Sequence, residues 1–137
     1  MAYKKQFSGE QHQFIEVPRG EFWVKAVQGS QGRTLGDFIQ NRSAQLPERL
    51  TLPVADDSMA GVGIQAGDFV VIERGRYTEG DILAVQLGDT VVIRRYFRAA
   101  LRIRLESAPP GRETIIIEAD APGVVILGRV VQVVKEI

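Results

Sequence analysis

Residues 55–72 read ADDSMAGVGIQAGDFVVI, the stretch with the strongest structural signal in the chain. The pair Ser58-Met59 precedes a glycine-rich turn, and Gly67-Asp68 then opens an apolar run that ends at Ile72. Glycine lets main-chain amides approach a bound group closely, so a serine beside such a turn can face main-chain donors. The stretch predicts a tight turn that presents Ser58 and leads into a buried strand. The preceding acidic pair, Asp56-Asp57, is expected to hydrogen-bond the backbone that follows it.

Strand patterns continue from this stretch to the C-terminus. Short apolar or alternating runs predict strands at 68–73, 81–87, 90–97, 101–105, 114–117, 124–127 and 129–134. Gly88-Asp89 is a tight-turn signal between two of these runs, and Gly128 is predicted to separate the last two. Short strands at near-regular spacing, with little helical periodicity, predict a mostly-β domain with a curled sheet over residues 51–137.

Residues 1–50 differ in composition from residues 51–137, because they are polar, rich in glutamine and interrupted by glycines. We expect a flexible N-terminal arm with a joint at 29–32 and one short helix at 34–42, which must end before Pro47. The aromatic cluster around Trp23 is expected to dock on the β domain or on a second protomer.

The composition limits the classes of function. The chain has 137 residues, enough for one domain with a core, and it carries 17 basic and 17 acidic residues. It therefore has no net charge to attract nucleic acid or membranes, and direct nucleic-acid binding is not expected. The sequence contains no cysteine, which excludes disulfides and thiolate sites. We find no phosphate-binding glycine loop, metal-ligand cluster, signal peptide or membrane span, and expect a cytoplasmic protein without a cofactor.

Five segments together match one known pattern in order and spacing: 55–59 (ADDSM), 63–68 (GIQAGD), 79–85 (EGDILAV), 90–95 (TVVIRR) and 128–135 (GRVVQVVK). Through them, residues 52–137 resemble the catalytic domain of the LexA/UmuD family of self-cleaving serine proteases, peptidase family S24. The resemblance implies the curled β fold of that family's C-terminal domain. The sequence before Leu52 is too short for a helix-turn-helix domain, so in length the chain resembles UmuD more than LexA.

The resemblance assigns roles to particular residues. Ser58 takes the position of the nucleophile, Met59 and Gly61 lie in the turn expected to form the oxyanion hole, and Arg94 takes the position of the family's general-base lysine. A neutral lysine can accept the serine proton, because burial depresses its pKa. A guanidinium, with a pKa above about 12, stays protonated, so Arg94 is not expected to act as that base. Arg95 is one residue out of register.

Two further sequence features bear on self-cleavage. Family members are cut at an Ala-Gly or Cys-Gly bond in the arm, but neither dipeptide occurs before Ser58. The nearest analogues, which define the candidate cleavage region, are Gln28-Gly29 and Gln31-Gly32. Among the lysines, Lys25 in the arm is the one considered as a substitute base, and the sole histidine, His12, lies in the polar tail.

The resemblance implies three alternative functions. The leading one is a UmuD-like accessory protein of the DNA-damage (SOS, translesion synthesis) response, which binds a translesion polymerase or a recombinase filament and whose self-cleavage is lost or weakened. The second is a working autoprotease with Ser58 as nucleophile, using Lys25 as base or carrying an artificial replacement of a native lysine at position 94. The third is a phage or mobile-element regulator of the same family.

An arginine cluster and an apolar C-terminal tail are two further features of the sequence that bear on binding partners. The cluster consists of Arg94, Arg95, Arg98, Arg102 and Arg104. It could be a basic patch for an acidic partner, or a solvated strand face paired with Glu106, Glu113 and Glu118, and the alternation along 101–105 favours pairing. The tail 130–134 is predicted as an exposed sheet edge, which must be covered. The resemblance and this edge together predict a homodimer.

Overall fold

The structure, a computed structural model, describes residues 12–17 and 48–137. The predicted helix at 34–42, the joint at 29–32, Trp23, Lys25 and the candidate cleavage region all lie outside the described residues. No helix in the described ranges combines the length and apolar character that crossing a membrane requires.

The described residues are dominated by strands, which confirms the predicted mostly-β fold. The strands are β1 (Gln13–Val17), β2 (Arg49–Pro53), β3 (Phe69–Glu73), β4 (Ile82–Leu87), β5 (Thr90–Ala99), β6 (Arg102–Glu106), β7 (Ile115–Glu118) and β8 (Val124–Glu136). One short 3-10 helix, Ala60–Val62, follows the Ser58 turn. The sheet order is β2-β3-β8-β4-β5-β6-β7, with antiparallel neighbours, and β1 pairs in parallel with β8.

The core consists of two apolar clusters that share β4. Successive side chains of a strand point to opposite faces. Ile82 and Ala84 accordingly join a cluster with Met59, while Leu83 and Val85 join a second cluster with Tyr96. Because both faces of β4 are covered, the strand is nearly continuous in apolar residues and forms the centre of the domain.

The C-terminal strand differs from the prediction in two ways. It does not break at Gly128 but runs continuously as β8, and a β-carbon at Gly128 would lie 2.7 Å from the Glu73 carbonyl oxygen. Glycine at this position therefore permits a close crossing of two strands rather than a strand end. The tail 130–134 is also no edge, because it pairs with β3 on one side, its residues 132–134 pair with β1 on the other, and Val133 is fully buried. The homodimer prediction then depends on the resemblance alone.

The strand β1 lies within the segment predicted as an arm. Its residues Gln13 to Val17 pair with Gln132 to Glu136 of β8. Phe14 packs against the first core cluster, and its ring lies 3.3 Å from the β-carbon position of Gly63, in the Ser58 turn. Five residues are too short a pattern for strand prediction when the partner strand lies more than 100 positions away.

Candidate functional site

Ser58 lies in a turn that hydrogen bonds hold on both sides. Its amide donates to Asp56 Oδ1 over 3.0 Å, and its carbonyl accepts from the Ala108 amide over 2.8 Å. The Asp57 carboxylate accepts from the Ala66 amide over 2.8 Å. Both aspartates therefore bond backbone that follows them, as their sequence position predicts. Ser58 itself is 8% exposed, so its side chain is largely buried.

The turn closes through main-chain bonds around Met59. The Met59 carbonyl accepts from Val62 over 3.1 Å and from Ile64 over 3.2 Å. Gly63, which ends the short helix, has a φ of 89°, a left-handed conformation that glycine adopts without steric cost. The glycine pattern after Ser58 is therefore explained by a tight reversal that brings the chain into β3.

Arg94 meets Ser58 although the two residues are 36 positions apart. Its Nη1 donates to Ser58 Oγ over 2.6 Å and to the Ile93 carbonyl over 2.9 Å, and its Nε donates to the Glu113 carbonyl over 2.9 Å. The side chain is 4% exposed. The neighbouring Arg95 instead donates to the Gly80 carbonyl over 2.7 Å. The structure thus brings together the serine and the arginine that the register predicts, while Arg95 lies against another loop.

The electrostatics of the pair follow from burial and from two nearby carboxylates. Burial lowers the pKa of the Arg94 guanidinium, and the negative charges of Asp56 and Glu113 act in the opposite direction. Arginine starts from a pKa so high that the group stays charged in proteins. The hydrogen bond from the Ser58 amide holds the pKa of Asp56 below its ordinary value, against the effect of burial, with help from the Ser58 hydroxyl and Arg94. The site therefore holds a cation on the serine oxygen and an ionised carboxylate nearby.

The two residues predicted for the oxyanion hole differ in their geometry. The Gly61 amide is engaged, because it donates to the Ala108 carbonyl over 2.6 Å, and a β-carbon at Gly61 would lie 2.7 Å from that carbonyl. Gly61 is therefore not available as an oxyanion donor in this conformation, and its glycine permits close contact with the 108–109 loop. Among the hydrogen bonds of residues 12–17 and 48–137, none is donated by the Met59 amide. Met59 thus retains a main-chain donor directly after Ser58.

No lysine or histidine contacts Ser58 Oγ within the described part of the chain. Lys135 is bound to Asp68, with Nζ 2.5 Å from Oδ2, and His12 packs edge-on against Phe14 with the ring centres 5.2 Å apart. Lys4, Lys5 and Lys25 lie outside the described residues. Within the described ranges there is also no group of three or more His, Cys, Asp or Glu residues that could hold a metal ion.

The remaining arginines of the cluster are largely paired, as the alternation predicts. Arg102 lies 3.4 Å from Glu118, and Arg104 lies 3.6 Å from Glu106 and over the Phe97 ring at 4.5 Å. Arg98 Nε donates to the Ala100 carbonyl over 3.3 Å. The geometry therefore favours a solvated strand face on which Arg102 and Arg104 pair with glutamates over an unpaired basic patch.

Two contributors to the site carry no recognisable sequence motif. The Ala108 peptide bonds both Ser58 and Gly61, and the Glu113 carbonyl holds Arg94. Ala108 and Glu113 both belong to the loop between β6 and β7. This loop contains proline and glycine, and its sequence indicates only a connection between two strands. Their contacts are main-chain contacts, which no residue type signals, so the sequence alone could not have identified them.

Comparisons with known proteins identify a family for this chain. Residues 31–131 match the Peptidase S24-like family. Similar proteins include the LexA repressor of Geotalea uraniireducens, 33% identical over 63% of this chain and 43% of the repressor. The LexA repressor of Citrifermentans bemidjiense is 32% identical over 89% of this chain and 60% of the repressor. That of Caldicellulosiruptor saccharolyticus is 32% identical over 61% and 40% respectively. The chain therefore spans between 40% and 60% of the length of these relatives.

Proposed function

The chain belongs to the Peptidase S24-like family, and from this premise we propose that it is a UmuD-like regulatory protein of the DNA-damage response whose self-cleavage is lost or severely weakened. It acts in the cytoplasm as a homodimer that binds a translesion polymerase or a recombinase filament. Support for a regulatory role comes from the similarity to LexA repressors. The same scaffold then serves for binding rather than for hydrolysis.

One observation carries the proposal. Arg94 Nη1 donates a hydrogen bond to Ser58 Oγ over 2.6 Å, at the position where the resemblance expects the general base. A serine hydroxyl becomes a competent nucleophile when a neighbouring group removes its proton. A guanidinium has donors and no acceptor, so it can orient the hydroxyl or stabilise a negative charge but cannot take up the proton. The attacking atom is present, and the group in contact with it cannot activate it.

The test is intact-mass measurement of the purified chain after incubation at neutral pH and at pH 9 to 10. The wild type is expected to remain whole at both pH values, as is Ser58→Ala. If the wild type loses a fragment from the N-terminal segment and Ser58→Ala does not, the chain is a working autoprotease and the proposal is wrong. Such a result would direct attention to Lys25 as the base.

A further inference from the structure

We propose that Ser58 and Arg94 form a binding site for a peptide carboxylate, an inference that rests on the proposed function because it requires a serine that binds without turning over. The site then recognises a ligand by charge, beside the serine that would attack the scissile bond in a working protease. The hydrogen bonds of one buried side chain, Arg94, leave donors for such a ligand.

The Arg94 guanidinium has donors that its surroundings do not use. Nε donates to Glu113, and Nη1 donates to Ser58 and to Ile93, which accounts for three of the five N–H groups of an arginine. None of the hydrogen bonds of the described residues involves Nη2. No fully buried side-chain nitrogen or oxygen in the described ranges lacks a partner, so Nη2 must contact solvent. Arg94 is 4% exposed, and the free N–H groups of Nη2 therefore belong to the small part of the residue that solvent reaches.

Among the described residues, the charge of Arg94 also has no ion-pair partner. All three acceptors of its hydrogen bonds are neutral oxygens. Within residues 12–17 and 48–137, no carboxylate oxygen lies within 4.0 Å of the guanidinium, although Asp56 and Glu113 act on it from further away. Buried charges in proteins are usually paired, because desolvation disfavours the isolated ion. A carboxylate bound at Nη2 would supply the missing partner.

The neighbouring groups favour the same ligand chemistry. Ser58 Oγ accepts from Arg94, and its own hydroxyl proton can donate either to the Asp56 carboxylate, which it helps to stabilise, or to a bound carboxylate in its place. Two donor types, N–H and O–H, thus lie side by side with a positive charge next to them. Hydrogen bonds from such groups to a carboxylate are charge-assisted and about twice as strong as neutral ones. The Met59 amide, which follows Ser58 in the chain, provides a further reporter of binding.

The negative charge of Asp56 opposes anion binding, so its removal should strengthen the binding of a carboxylate. Its carboxylate is exposed, accepts the Ser58 amide over 3.0 Å and repels a second carboxylate nearby. Asp56→Asn retains an oxygen that can accept the amide and removes the negative charge. The variant should bind a carboxylate about three- to tenfold more tightly, as expected for the loss of one nearby like charge.

The experiment is a titration of the isotopically labelled wild-type chain, followed by the Arg94 Nε–H and Met59 amide resonances. The first probe is N-acetyl-trialanine with a free carboxylate, and the second is the same peptide with a C-terminal amide. The third is N-acetyl-Ala-Asp-Ala amide, which carries its carboxylate on a side chain. We expect saturable shifts at about millimolar concentration for the first or third probe, and none for the second.

Variants separate a specific site from general charge effects. Arg94→Gln should weaken binding at least about tenfold, whereas Arg102→Gln, which removes the same charge from an exposed strand position, should leave it unchanged. Ser58→Ala should weaken binding less, because one donor is lost and the cation remains. Asp89→Asn, in the exposed β4–β5 turn, is the matched control for Asp56→Asn.

The outcomes are distinct. Saturable binding of the free-carboxylate peptide identifies a peptide C-terminus as the ligand, and binding of the aspartyl peptide alone identifies an acidic side chain; both support the inference. Equal binding of the amide peptide, unchanged binding in Arg94→Gln, or no saturable shift would overturn it. Intact mass recorded before and after each titration tests the proposed function separately, because a cut chain refutes that proposal whatever the peptides do.

Discussion

Arg94 donates to Ser58 Oγ over 2.6 Å from the middle of β5, while its Nε is fixed by the Glu113 carbonyl on the β6–β7 loop. The guanidinium is thus held from two sides and delivers one N–H to the serine. The pair combines a strand position, a turn and a distant loop into one site. A side chain fixed in this way constrains the hydroxyl as a hydrogen-bond acceptor, which is the opposite of what a general base does.

Arg94→Lys is expected to create self-cleavage activity. A lysine amine can lose its proton, and burial depresses its pKa, so a fraction of the neutral base becomes available as pH rises. Fragment formation should therefore be faster at pH 9 to 10 than at pH 7, as followed by intact mass. The double variant Ser58→Ala/Arg94→Lys should remain whole. If Arg94→Lys stays intact while it keeps the wild-type fold by circular dichroism, loss of the base is not what silences the site.

The contact between Ser58 and Arg94 is expected to stabilise the fold measurably. Ser58→Ala leaves a buried N–H of a cation without its acceptor, which costs about 1–3 kcal/mol. Arg94→Gln removes the cation as well, so the two substitutions should be non-additive. A double-mutant cycle in urea should give a coupling energy of about 1.5–3 kcal/mol, the range for hydrogen bonds to charged groups. Ser58→Ala/Arg102→Gln, with its partners far apart in the fold, should be additive within about 0.5 kcal/mol.

The strands from β3 onward could be predicted because alternation and turn residues mark each of them within a few positions. The pairing of Ser58 with Arg94 could be predicted only through the resemblance to the S24 family, which sets the register of the two residues. The order of the strands could not be predicted in the same way. The central position of β8 depends on pairing with β3 and β4, and a row of valines looks alike at an edge and in the interior.

Close contacts across the chain explain the remaining differences. Gly128 and Gly61 both look like strand or turn breakers, but each permits the approach of a carbonyl, from Glu73 and Ala108 respectively. The Gly61 amide is also consumed by Ala108 rather than left for an oxyanion. Whether a glycine serves a turn, a close approach or a donor site depends on what lies opposite, and that is set by tertiary structure.

Phe14→Ala is expected to release β1 from the sheet locally. The ring packs against the first core cluster and the Gly63 turn, and because it is partly buried its loss should cost about 1–3 kcal/mol. Hydrogen exchange should accelerate at Gln132–Glu136, where β8 pairs with β1. Exchange at Val124–Leu127 should change less, because that half of β8 pairs with β4. Glu16→Ala, an exposed position on the same strand, is the control and should leave both regions unchanged. Equal acceleration along all of β8 would instead show that β1 unfolds together with the whole domain.

Asp56→Asn is expected to reduce stability in a manner that depends on pH. The pKa of Asp56 lies below its ordinary value in the folded chain, chiefly because its carboxylate accepts the Ser58 amide. A group whose pKa is lowered on folding stabilises the fold at pH values above its unfolded pKa, which is about 3.9 for aspartate. This contribution disappears as the pH falls through the folded pKa. The wild type should therefore resist urea better than Asp56→Asn at pH 7, and the difference should shrink towards pH 3. Asp89→Asn, which removes the same charge from an exposed turn, should not show this convergence. A gap between wild type and Asp56→Asn that stays constant from pH 7 to pH 3 would mean that the charge of Asp56 does not stabilise the Ser58 turn.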